Sequence, residues 1–146
     1  TRVAECTNTG GFNASNRNGR SGGIAGQAMN SQVTGCVNRA MVVADGTGDA
    51  NPANLGGLVG VLSKGSSMSD CRHYGVVYDR NYTSTTVWGG VAGVSVAGAT
   101  IDNCGFGGIY RKSINSSDST ETAIKLSDIC GDTNFTGSGN SLWDGK

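Results

Sequence analysis

Three acids stand in equivalent places along this chain and are its first candidates for chemistry. Glu5 and Asp70 each precede a cysteine, in VAEC (3–6) and MSDC (68–71), and Asp144 precedes the final glycine of SLWDG (141–145). Gly35 and Asn103 fill the same place in VTGC (33–36) and IDNC (101–104). If such copies stack as strands roughly 4.8 Å apart, acids two copies apart are separated by about 9.6 Å, near the upper limit for the carboxylates of an inverting glycosidase. Asp and Asn also suit tight corners, because their short side chains bond nearby backbone amides. The corner reading explains Asn103 as well, so it outweighs the catalytic one.

Other reactive types are sparse. The segment DGTGD (45–49) alternates oxygen-bearing side chains with glycine in the style of a calcium loop, with Asp45, Thr47 and Asp49 as ligands. The twelfth position from Asp45 is Gly56 where such a loop needs Glu, so an ordinary turn is the better reading. Tyr78, Tyr82 and Trp88 surround one variable segment; exposed rings there would stack on sugars, and buried ones would pack the loop. Sequons for N-glycosylation occur at Asn13, Asn81, Asn115 and Asn134, close to the number chance supplies, and all four are predicted in loops. His73 is the single histidine, and no zinc-protease, P-loop or nucleophile-elbow motif is present. We expect no catalytic residue and no cofactor.

Cys6, Cys36, Cys71 and Cys104 close the four repeated blocks, whereas Cys130 stands at the place of Ala25, Val59 and Ala92. Stacked strands would bring neighbouring Cα atoms within disulfide range with the side chains parallel rather than facing. A column of buried thiols acting as small hydrophobes is the favoured reading. Disulfides between copies are the alternative in an exported protein. One histidine and no C-x-x-C spacing give a metal little to bind.

What positions these residues is an internal repeat. Glycine-rich blocks GGIAG (22–26), GGLVG (56–60) and GGVAG (89–93), with a worn copy SDICG (127–131), recur in step with the cysteine blocks. The glycine pairs are 34 and 33 residues apart and the cysteines 30, 35 and 33, so two independent markers share one period. The blocks hold short Val, Ile and Leu runs with glycine inside, and none shows a sustained helical stripe. Glycine inside a helix costs up to about 1 kcal/mol each time, which sets helical repeats aside.

The expected fold is therefore all-β: a parallel β-solenoid, right-handed and β-helix-like, of about four coils with a repeat near 33 residues, forming one domain over 1–146. Its inward columns would be Ile24, Leu58, Val91 and Ile129, and Val3, Val33, Met68, Ile101 and Leu142. A third strand follows each cysteine, in AMVV (40–43), GVVY (75–78) and GGIY (107–110), and variable polar loops come after it.

Composition agrees. Glycine supplies 25 of 146 residues, charged residues only 15%, and there is one proline, which fits tightly turned β structure better than disorder. Eleven basic residues balance eleven acidic ones without a run of three, so nucleic acid is not an expected partner. No apolar stretch approaches the roughly 18 residues of a membrane-spanning helix.

A Gly-Gly-Leu/Val-x-Gly block, about ten residues, an apolar residue three before Cys, and then Asn resembles the GLUG motif of secreted and cell-surface bacterial proteins. The Asn place holds Asn8 and Asn38 but departs from the pattern at His73 and Phe106. The resemblance implies a β-helix-like repeat in exported proteins, often beside adhesin or peptidase domains, and brings no catalytic residue. The chain opens on Thr1, as a processed chain or a piece of a longer one would, and neither end shows a polar capping repeat. Uncapped strand edges template association, so the expected partners are neighbouring repeats or another copy end to end, with surface glycans besides. The expected function is a non-enzymatic, extracellular or cell-surface structural or adhesive module, in the limit a head-to-tail fibre subunit. The alternative is a carbohydrate-binding or glycan-degrading β-helix using Glu5, Asp70 and Asp144 or the Tyr78, Tyr82 and Trp88 cluster.

Overall fold

The computed structural model describes residues 1–10, 12–14, 19–44, 54–79, 87–107, 110–113, 119–122, 126–132 and 134–142. Its regular structure is short β-strand, two to four residues at a time, with one 3-10 turn at Leu126–Ile129. The strands belong to five sheets, which the chain visits in the same order in each repeat.

The first sheet contains Arg2–Ala4, Gln32–Thr34, Ser67–Ser69, Ala99–Asp102 and Phe135–Thr136. The second contains Thr7–Asn8, Val37–Asn38, Arg72–His73, Gly105–Phe106 and Ser141–Leu142. The third contains Phe12–Ala14, Val42–Ala44, Val77–Asp79 and Tyr110–Ser113, and Ser119–Thr122 pairs with the last of these. The fourth holds Arg20–Gly22, Asn54–Gly56 and Val87–Gly89, and the fifth Ala25–Ala28, Val59–Leu62 and Ala92–Ser95. Pairing between repeats is parallel and in register, as in Val3 with Val33, Val33 with Met68 and Met68 with Ile101. The protein is thus an all-β fold of parallel sheets in which equivalent residues of successive repeats lie side by side.

That register builds the core. Val33, Met68 and Ile101 form one buried column, and Leu58, Val91 and Ile129 another. Val3 and Ile24, which begin the two columns, are only half-buried, because no further strand lies beyond them among the described residues. The worn glycine block keeps its register, since Cys130 bridges to Ala92 as Ala92 pairs with Val59.

Strands this short need sharp corners, and the backbone makes them in the left-handed region. Glu5, Gly35, Asp70, Asn103 and Gly139 have φ of 54°, 63°, 55°, 47° and 70°. Asn30, Gly65 and Gly98, at 44°, 75° and 90°, form a second such column. Glycine, Asn and Asp are the residues that enter this region most readily.

The glycine pairs answer to crowding instead. A Cβ on Gly57 would run into the His73 ring and the Gly90 carbonyl, and one on Gly90 into the Phe106 ring. The second glycine of each pair leaves the space that the next repeat's second-sheet side chain fills.

Four expectations are corrected. Leu142 pairs with Phe106 and so belongs to the second sheet, not to the Val3 column, where Gly137 follows Ile101. Tyr110 lies opposite Val77 rather than Tyr78, a slip of one residue in the third strand. The polar segment after it, read as loop, supplies the antiparallel strand Ser119–Thr122. Asn13 lies on the strand Phe12–Ala14 rather than in a loop.

Candidate functional site

The acid column is a corner column. Glu5 and Asp70 occupy the left-handed positions just described, and Asn103 between the layers donates its amide to the Asp70 carboxylate. Arg72 reaches the same corner and donates to the Asn103 carbonyl. Asp144 lies outside the described residues, and the register that pairs Gly105 with Ser141 gives the corner of that layer to Gly139. The column therefore ends in Gly139, not in a third acid. The local cause is a longer final repeat: 36 residues separate Cys104 from Asn140, the residue in the cysteine place.

The cysteines of the repeated blocks form a column whose first member is not buried. Ladder hydrogen bonds link Cys6 to Val37, Cys36 to Arg72 and Cys71 to Gly105, so Cys6, Cys36, Cys71 and Cys104 stand in a row. All five cysteines are free thiols; Cys6 is exposed and the others are buried. Each thiol of the row donates to the carbonyl two residues before it, at 3.1 Å for Cys71 to Ser69 and 3.3 Å for Cys104 to Asp102. The hydrogen bond with Cys104, then burial, push the Cys71 thiol far above its ordinary range, while the same bond pulls Cys104 down. Burial likewise raises Cys36, and raises Cys130 to about 11. Thiols held protonated in this way are poor nucleophiles.

The Asn column works through its amides. Asn38 accepts from the Ala40 amide at 3.0 Å and donates to the Gly57 carbonyl at 2.7 Å; Asn8 does the same with Gly10 and Gly23. His73 fills that place by shape. Its Nδ1 accepts from Asn38, its Nε2 is buried with no hydrogen-bond partner, and burial lowers its pKa to about 4. A neutral ring buried among glycine backbones is a packing element, not an acid or base poised near neutrality.

One concavity of about 330 Å³ lies where the fourth and fifth sheets end. Val87, Trp88, Ser127, Asp128, Cys130, Gly131 and Asp132 line it. Asp132 also closes the fifth sheet. Its carboxylate accepts from the Ser95 amide at 3.1 Å and from the Ser95 hydroxyl, in the place where another strand would continue the ladder. Burial alone would raise this carboxyl, but the hydrogen bonds from Ser95 outweigh it and hold it below the usual carboxylate range.

In the last layer a side-chain amide takes over the bonds of the cysteine column: Asn140 accepts from the Cys104 amide and donates to the Ile101 carbonyl, as Cys71 does with the Cys36 amide and the Val33 carbonyl, and Asp102 accepts from the Ser138 amide. The sequence reading missed this replacement and the Asp132 closure. Their only sequence signal is the polar DTNFTGSGN run (132–140) after the worn block.

Of the aromatic cluster, Tyr78 and Trp88 are half-buried and Tyr82 lies outside the described residues; Tyr78 does not line the Trp88 concavity. Asp45, Thr47, Asp49, Asn81 and Asn115 also lie outside them, while Asn134 is exposed. Among the described residues, no three His, Cys, Asp or Glu side chains come together as metal ligands, and no helix is long and apolar enough to cross a membrane. No family model matches the chain, and neither a curated protein nor a solved structure is significantly similar to it.

Proposed function

We propose that the chain is a right-handed parallel β-solenoid module of about four coils, of the GLUG-motif kind, with a non-enzymatic structural or adhesive role outside the cell or on its surface. The observation that carries this reading is the registered stacking of like residues: cysteine on cysteine, corner on corner, apolar on apolar. Supporting it, Glu5 and Asp70 of the acid column occupy left-handed corners. Five layers at about 4.8 Å span only some 20 Å, so such a module acts by its surface and by what continues it.

Its two ends differ. At one, Asp132 satisfies the Ser95 amide at the edge of the fifth sheet. Arg2–Ala4 and Ala25–Ala28 stand at the sheet edges of the other. End-to-end contact with another copy or a neighbouring repeat is therefore assigned to the Arg2–Ala28 end.

Electron micrographs of the purified chain, paired with a hydrolysis screen on glycans, test the reading. Elongated particles and no hydrolysis are expected. Discrete particles together with a glycan hydrolysis abolished by Asp70→Asn would overturn it.

A further inference from the structure

The structure assigns Asn134 as an acceptor site for an N-linked oligosaccharide. The assignment rests on the extracellular reading above and deepens it, because it names a group that the module's surface carries. Asn134-Phe135-Thr136 is one of four Asn-x-Ser/Thr sequons, and two of the others, at Asn81 and Asn115, lie outside the described residues. Asn13 sits inside the strand Phe12–Ala14, paired with Val42–Ala44. Asn134 differs: it is exposed and stands just before the strand Phe135–Thr136 rather than within one.

The short strand turns the two recognised side chains outward together. Phe135 pairs with the fully buried Ala99 and packs against the core cluster, whereas Thr136 pairs with Thr100 and is exposed. Side chains alternate along extended backbone, so Asn134 and Thr136 share the face opposite Phe135. The first sheet ends at this strand among the described residues, and Thr136, Gly137, Ser138 and Gly139 are all exposed. A bulky, hydrated glycan needs such an open flank of small residues.

Asp132 sets the direction of the acceptor. Its carboxylate, anchored by the Ser95 amide and hydroxyl, accepts from the Asn134 backbone amide and from the side-chain Nδ2, both at 3.4 Å. Nδ2 carries two hydrogens, so one long bond to Asp132 leaves the other to be given up. In the transfer, Nδ2 attacks the anomeric carbon of an oligosaccharide carried on a lipid pyrophosphate. The bond from Nδ2 to that carbon forms and the bond from the carbon to the phosphate oxygen breaks. The lipid pyrophosphate leaves with the electron pair, and the second Nδ2 proton passes to a carboxylate of the transferase. The Thr136 hydroxyl is the group by which such an enzyme reads the sequon. The glycan then stands at the Asp132 end of the module and leaves the Arg2–Ala28 end clear.

The test expresses the whole chain behind an export signal in cultured mammalian cells. Peptide:N-glycosidase in heavy-oxygen water turns each glycosylated asparagine into a mass-labelled aspartate, and peptide mass spectrometry then reads every sequon separately. Medium and cell lysate are both read, so a variant retained in the cell still reports. Label at Asn134 is expected in most molecules. Thr136→Ala should abolish it there and Thr136→Ser should retain it, which a purely structural role for Thr136 would not produce. Asn134 unlabelled in both fractions overturns the site, as does label at Asn134 that survives Thr136→Ala. Each of these leaves the module reading standing, whereas discrete particles with an Asp70-dependent glycan hydrolysis overturn that reading independently of Asn134.

Discussion

Asp70 shows how a residue that looks catalytic is held in place by backbone geometry. At φ 55° its neighbours in the column are glycine or Asn, so the position selects for the left-handed region before it selects for charge. Asp70→Asn should leave thermal stability within about 0.5 kcal/mol of the parent, and Asp70→Gly within about 1 kcal/mol. Asp70→Val, β-branched, should cost about 1–2 kcal/mol in urea unfolding. Equal costs for Gly and Val would show that the side chain, not the backbone, sets the requirement. The cysteines allow an equally direct test, because only Cys6 is exposed. Brief iodoacetamide treatment should add one label to native protein, at Cys6, and five in guanidinium. Labelling of Cys71 as fast as Cys6 would contradict the burial of the Cys71 thiol.

At the scale of the strand, the second sheet carries a built-in pH response. His73 sits in a place that Asn38 fills with full hydrogen bonding, and its folded pKa is about 4 against 6.5 for the free side chain. The folded state binds fewer protons, so its stabilisation is complete above pH 6.5 and declines as pH falls through the interval to about 4. A difference of this size amounts to about 3 kcal/mol. His73→Asn should flatten urea midpoints across that interval, and a variant with the same pH slope as the parent would place the response elsewhere. The strand column was legible because the glycine and cysteine blocks mark it independently, and even the worn SDICG block fell in register. The closing strands were not. Tyr110, the last residue of the strand expected at GGIY (107–110), opens Tyr110–Ser113, but the residues after it and all of Ser119–Thr122 are polar, so no apolar alternation announces them. The SLWDG block resembled a last copy, yet Asn140, four residues before Asp144, takes the cysteine place, with its amide bonding what a thiol bonds in the earlier layers. Nor could the sequence reveal the Trp88 cavity, because it depends on what fails to cover Trp88.

Taken whole, the molecule has a middle and two unlike ends, and this should appear as a gradient of local stability. Leu58, Met68 and Val91 are fully buried between layers, while Val3 and Ile24 have strand neighbours on one side only among the described residues. In stacked repeats each layer is stabilised mainly by its nearest neighbours, so a layer with one neighbour opens at lower cost than a layer with two. Amide exchange followed by mass spectrometry should therefore be slowest in Val59–Leu62 and Ser67–Ser69, and fastest among the sheet strands in Arg2–Ala4 and Ala25–Ala28. At the opposite end the Ser95 amide is held by Asp132, so Ala92–Ser95 should exchange more slowly than Ala25–Ala28 although it too lies at the edge of the fifth sheet. Asp132→Ala removes that acceptor, costs about 1–2 kcal/mol, and should erase the difference by speeding exchange in Ala92–Ser95 alone. Raising the protein concentration separates the ends again. If copies meet through the Arg2–Ala28 end, exchange there slows with concentration while Ala92–Ser95 is unaffected. Exchange that is uniform from end to end, and indifferent both to Asp132→Ala and to concentration, would mean that the layers open as one unit and that neither end is specialised.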